Sequence, residues 1–179
     1  IDVWRGEVKA ERNLVLFGAY KAFFPQLIAG PIVRYRDVEK DFHYPDLNAD
    51  IFAAGAGRFM VGLCKKVLIA DSVAGVADAS FALAAAEQTF ASAWLGAIAD
   101  SFQIYFDFSG YSDMPIGLAM MFGIRFKENF HHPYAASTIT EFWRRWHISL
   151  SSWFRDYLYI PLGGNRAGPA ALPQGGRHP

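Results

Sequence analysis

Residues 142–166 read FWRRWHISLSSWFRDYLYIPLGGNR, and a short part of this stretch carries the groups an acyl-transfer site needs. Thr138 and Glu141 have capping-box spacing, in which a hydroxyl and a carboxylate each satisfy a free backbone donor, so a helix is predicted to start there. Trp143, His147 and Ser151 then fall four residues apart on one predicted face, with Arg144 three residues before His147 and Arg145 beside it. A neutral imidazole can take the proton of an alcohol attacking an acyl carbonyl, because its ordinary pKa lies close to working pH. Arginine adds a permanent charge that holds an anionic group or a developing oxyanion. The tryptophans would exclude water and line a slot for an elongated substrate. On residue types alone a second reading stays open, an interfacial helix whose Trp and Arg residues anchor at the headgroup level.

A second polar concentration, YFDFSGYSDM, interrupts apolar sequence at residues 105–114. Asp107 and Asp113 flank Ser109, Gly110, Tyr111 and Ser112, and Gly110 is expected to break the helix and leave backbone groups seeking partners. Either aspartate is expected to support the first site by pairing with Arg144 or Arg145. His131 and His132 do not suggest a metal site, since adjacent side chains diverge and no Glu or Cys completes a ligand spacing. Cys64 precedes Lys65 and Lys66, and a lone cysteine is expected to pack as a small hydrophobe.

The elements that must position these groups are helical. The chain is 53% hydrophobic and 16% aromatic but only 19% charged, below the roughly 25% of average soluble proteins, which leans the mixture towards a membrane. Net charge is zero with no basic face, so a nucleic-acid partner is not expected. Runs free of Asp, Glu, Lys and Arg reach only 12 residues, short of the roughly 20 of a clean span, but single ionisable groups punctuate longer apolar stretches. Such groups in a bilayer face the bundle interior or a watery cavity.

Residues 13–30 read as an apolar helix, followed by a polar connector to about Asp50. From Ile51 to Ala70 the small residues Ala53, Gly55, Gly57 and Gly62 would let helices approach closely. Its GAGRFMVG follows no strand and lacks dinucleotide-loop spacing. A helix over Ser72–Ala86, a break near Glu87–Thr89, a helix over about Phe90–Phe108 and a further apolar stretch to Phe122 complete the pattern. No alternation long enough for a sheet is present, so the fold class is all-α.

Three separated blocks, FFPQLIAGPIVRY at 23–35, YFDFSGYSDMPIGLAMMFGI at 105–124 and PYAASTITEFWRRWHISLSSWFRDYLYIPLGGNR at 133–166, resemble the membrane-bound O-acyltransferase family, nearest its alginate O-acetyltransferase branch. The resemblance implies a polytopic transmembrane helix bundle of the bacterial inner membrane, with residues 1–166 part of one membrane domain. It implies acetyl transfer, with acetyl-CoA as donor, to hydroxyls of an exported polysaccharide, completed by periplasmic acetylation partner proteins. His147 falls on the first of two polar positions that mark the family's active site. The second, a histidine in an apolar helix some thirty residues on, has no counterpart in 167–179, AGPAALPQGGRHP, which reads as a truncated or frame-shifted end; His178 does not take the role, and the fragment alone is expected to be inactive. D-alanyl or other acyl transfer to a cell-wall polymer would use the same scaffold, and a transport or structural membrane module is the reading outside enzymes.

Overall fold

The computed structural model describes residues 1–27 and 30–164. Among these residues the architecture is helical throughout, with no strand: α1 (Leu14–Ala22), α2 (Tyr35–His43), α3 (Ala49–Cys64), α4 (Asp71–Phe81), α5 (Phe90–Met121), α6 (Ile139–Arg145) and α7 (Ile148–Phe154). Short 3₁₀ turns lie at Phe24–Gln26 and Pro133–Ala135, and widened π turns follow α3 at Lys65–Ala70 and α7 at Arg155–Tyr159. The atypical 167–179 tail, with His178, lies outside the described residues.

α5 organises the rest. It starts where the sequence predicts, because the Thr89 hydroxyl accepts from the Ser92 amide while the Ser92 hydroxyl accepts from the Thr89 amide. It does not end at Phe108 or break at Gly110; it runs unbroken for 32 residues, about 48 Å, through Gly110, Pro115 and Gly117. Gly110 is held helical by packing. Its place opposite Gly62 leaves no room for side chains, since a Cβ on either glycine would lie 2.6 Å from the other's carbonyl oxygen.

A second rung, Gly55 against Gly117, repeats the close approach seven residues away on each helix in the opposite sense, so α3 and α5 lie antiparallel, backbone to backbone. Gly57 takes no part, with nothing within 4 Å of a Cβ built on it. The first half of α5 meets α4, where a Cβ on Gly96 would stand 2.9 Å from Ser80 Cβ. GAGRFMVG is thus helix–helix contact surface inside α3.

At the C-terminal end of α5 a small core gathers Val38, Ile116, Ala119, Ile124 and Phe126, with Tyr20, Phe23 and Phe42 packed on it. Val38 comes from α2, a helix inside what the sequence presents as a polar connector; polar residues surround this one buried position. The first helix is also shorter than 13–30: it stops at Ala22, because Pro25 disfavours helix in the residue before it and brings no N–H of its own.

Large apolar side chains elsewhere face outward, including Leu14, Val15 and Phe17 of α1, Phe52 and Met60 of α3, and Trp94, Leu95, Ile98 and Phe102 of α5. No helix among the described residues is both long and apolar enough to cross a membrane. For α5 the obstacle is composition rather than length, since its 32 residues exceed the roughly 20 of a span.

Candidate functional site

The helix predicted from Thr138 is two helices. Thr138 caps α6, its hydroxyl accepting from the Glu141 amide at 3.1 Å, while the Glu141 carboxylate accepts from the Ser137 amide at 2.9 Å, one residue outside the expected reciprocal bond. α6 stops at Arg145, Trp146 is extended, and His147 turns left-handed at φ +44° before α7 begins. Trp143, His147 and Ser151 therefore do not share one helix face. A left-handed backbone costs a non-glycine residue roughly 1–3 kcal/mol and persists only where its surroundings enforce it. Here the enforcement comes from residues 129–131, which run alongside the turn: the His131 amide donates to the Arg145 carbonyl and the Ile148 amide to the Asn129 carbonyl, both at 2.9 Å.

The Asn129 side chain continues the clamp. Its Oδ1 accepts from the Ser149 amide at 3.2 Å and from the Ser149 hydroxyl at 2.9 Å, and its Nδ2 donates to Ser112 Oγ at 3.1 Å. Ser149 Oγ accepts in turn from the Ile32 amide at 3.0 Å. This chain, buried from Ser112 to Ser149, joins all three sequence blocks at one point: Ile32 from the first, Ser112 from the second and Ser149 from the third. Asn129 is 1% exposed and lies between the second and third blocks. Nothing in its own neighbourhood, ENFHHP, signals this role; it emerges when α5 and α7 meet.

The His147 ring stands against aromatic groups. Its centroid is 4.7 Å from that of Phe108, edge to face, and Phe130 packs between Phe108 and Trp146 at 5.0 Å from each. Among the described residues no carboxylate hydrogen-bonds the imidazole. α6 and α7 have seven residues each, about 10 Å, and do not span a bilayer. Burial pushes the half-buried imidazole below its ordinary value, so the neutral, proton-accepting form prevails at pH 7.

The other predicted residues disperse. Trp143 and Arg144 are exposed. Arg145 pairs with Glu141 one turn back and reaches the His132 carbonyl at 3.5 Å. The Ser151 hydroxyl turns onto the Trp146 carbonyl at 3.4 Å. The aspartates do not support Arg144 or Arg145. Asp113, 6% exposed, takes Arg58 on Oδ1 at 2.6 Å and Lys65 on Oδ2 at 2.6 Å, and Asp107 takes Lys66. Lys65 and Lys66, in the π turn that follows α3, flank its contact with α5, and each reaches across to one of the aspartates.

A further pair carries no signal in the sequence. Arg34 in the first block, with its side chain 8% exposed, donates to Asp156 at 2.7 Å and to the Ser152 hydroxyl at 3.1 Å, fastening the N-terminal region onto α7 and its π turn. Arg155 and Arg34 together hold the Asp156 carboxyl at about 2.

The site thus consists of a half-buried, neutral histidine on a clamped turn within an aromatic wall. It can accept a proton, and the wall restricts water. A model of the membrane-bound O-acyltransferase family matches residues 10–171. The chain is 60% identical to a probable alginate O-acetylase AlgI of Azotobacter vinelandii over 93% of its own length and 33% of the relative's. It is 59% identical to one of Pseudomonas syringae pv. tomato over 96% and 33%, and 49% identical to a peptidoglycan O-acetyltransferase of Helicobacter pylori over 84% and 29%. It therefore spans about a third of the length of these relatives. With the three motif blocks converging on one clamped histidine and the family match running through all of them, the chain belongs to the membrane-bound O-acyltransferase family.

Proposed function

We propose that this chain is the His147-bearing part of a membrane-embedded O-acetyltransferase that moves acetyl groups onto hydroxyls of an alginate-like exported polysaccharide. The observation that carries the reading is His147 itself, neutral, half-buried and fixed at the junction of all three family blocks. The relatives' names supply the acyl group and the acceptor. Acetyl-CoA is the donor. The His147 imidazole accepts the proton of the attacking acceptor hydroxyl, the hydroxyl oxygen forms the new ester bond, and the thioester bond breaks as the imidazolium returns the proton to the departing thiolate. Trp143, Arg144, Arg145 and Ser151 lie on the two helices either side of the turn and face substrate rather than the imidazole; Asp107 and Asp113 act by holding α3 against α5.

The outward apolar surfaces of α1, α3 and α5 meet lipid and the remaining helices of a multi-pass inner-membrane bundle, which brings the second active-site histidine, and periplasmic acetylation proteins complete transfer. The reading is tested by measuring ester-linked acetyl on the secreted polymer in cells with and without the complete gene. Loss of acetyl with polymer still secreted supports it; unchanged acetyl overturns the acceptor assignment.

A second reading differs only in the acceptor, the glycan of peptidoglycan, and rests on the 49% identity to the Helicobacter pylori enzyme. The higher 60% identity favours alginate. Acetyl lost from muropeptides, with the exopolysaccharide unchanged, would reverse that order.

A further inference from the structure

We propose that Asn129 is a positioning residue for the acyl transfer, setting the left-handed turn that aims His147 without itself touching substrate. This rests on the reading of His147 as the base. Three features single out Asn129 among the groups around the turn. Its carbonyl takes the amide of Ile148, the residue directly after His147, at 2.9 Å. Its side chain takes both the amide and the hydroxyl of Ser149, so the first two residues of α7 are held by one side chain and its own backbone. Its Nδ2 donates to Ser112 of α5, the helix that also supplies Phe108 to the His147 ring.

The geometry makes Asn129 a spacer between α5 and α7. Phe108 and Ser112 lie four residues apart on one face of α5, one touching the imidazole and the other tied through Asn129 to the residues that follow it. A shift of α7 relative to α5 would therefore move the ring and strain the amide bridge together. The bridge needs a side chain that both donates and accepts, and at 1% exposure water does not replace it. Leucine would fill the volume and keep the main-chain bond to Ile148, but leave the Ser149 amide unpaired and untie α7 from Ser112 of α5, so that the turn is no longer held at a fixed distance from Phe108.

The test uses the complete enzyme in membranes. Asn129→Leu is expected to lower kcat by about 10- to 100-fold, with KM for donor and acceptor within about twofold of wild type, because a misplaced base slows chemistry rather than binding. In a His147→Ala background the same substitution should cause no further loss of the residual rate. An unchanged kcat, a loss confined to KM, or an equal further loss in the His147→Ala background would overturn the proposal. If Asn129→Leu does not accumulate in the membrane, Ser112→Ala releases the bridge at its far end and is expected to show the same split at smaller amplitude; wild-type kcat there would overturn it too. Full activity of His147→Ala alone would instead remove the reading of His147 as base, a separate outcome.

Discussion

The imidazole of His147 and the ring of Phe108 meet edge to face, with centroids 4.7 Å apart and planes at 82°. Phe108 is thus part of the wall that keeps water from the histidine and holds its pKa below the ordinary value.

The sign of that shift fixes the pH dependence. A base acts when deprotonated, so kcat/KM should rise with pH through a limb lying below the ordinary histidine value of about 6.5. Phe108→Ala opens the wall, restores hydration of the charged form and moves the limb upward, lowering activity most at pH 6. Unfolded chains take up the proton first, so His147 also lowers stability progressively as pH falls from about 6.5 to its depressed folded value. A pH–rate profile of the two proteins checks the direction; an unmoved limb would show that Phe108 does not dehydrate His147.

The glycine rungs give a stability prediction with an internal control. Gly62→Ala places a Cβ 2.6 Å from the Gly110 carbonyl and 2.9 Å from Asp113 Cβ, so α3 and α5 must separate. The expected cost is about 1–3 kcal/mol, seen as a lowered Tm in detergent and reduced membrane accumulation. Gly57→Ala and Gly75→Ala meet nothing within 4 Å and should be neutral or stabilising, by up to roughly 1 kcal/mol, because alanine is the better helix former.

Arg34 and Asp156 should behave as one unit. Arg34→Ala leaves Asp156 with only its less buried partners, and a loss of about 2 kcal/mol is expected, less than for a fully buried pair because Arg36 and Arg155 remain. The Asp156 carboxyl sits at about 2, below an unfolded value of about 3.9, so its contribution is present above pH 4 and disappears as pH falls from there towards 2. Melting measured at pH 7 and pH 3 should show a wild-type advantage over Asp156→Asn at the higher pH that shrinks at the lower.

For the polar groups of α5, a double-mutant cycle discriminates between partners. Asp113→Asn and Arg58→Gln should couple strongly in stability, because Arg58 donates to Asp113 at 2.6 and 2.9 Å. Asp113→Asn and Arg144→Gln should be additive.

The helical class, the start of α5 at Thr89–Phe90 and the Thr138 cap are legible because each depends on residues near in sequence, and the close-packing role of Gly55 and Gly62 is legible from residue size, though not the glycines they meet. What escaped depends on contacts between distant residues. Gly110 carries a local signal to break a helix, yet the rung with Gly62 overrides it. An uninterrupted helical pattern through 138–154 hides the turn at His147, because the bonds that impose it come from Asn129 and His131. Residue types alone pair Asp107 or Asp113 with Arg144 or Arg145, whereas in the fold Arg58, Lys65 and Lys66 of α3 and its π turn take them. Residue type and motif single out His147 as the candidate base, but its surroundings emerge only where α5, α7 and residues 129–131 meet.

The most direct test of the account is ester-linked acetyl on the secreted polymer from cells whose complete enzyme carries His147→Gln at wild-type membrane level. Glutamine keeps size and hydrogen bonding but cannot act as a base near neutral pH. The account predicts polymer secreted in normal amount with its acetyl reduced at least about 100-fold, the scale of general-base catalysis. Acetylation at the wild-type level would contradict it.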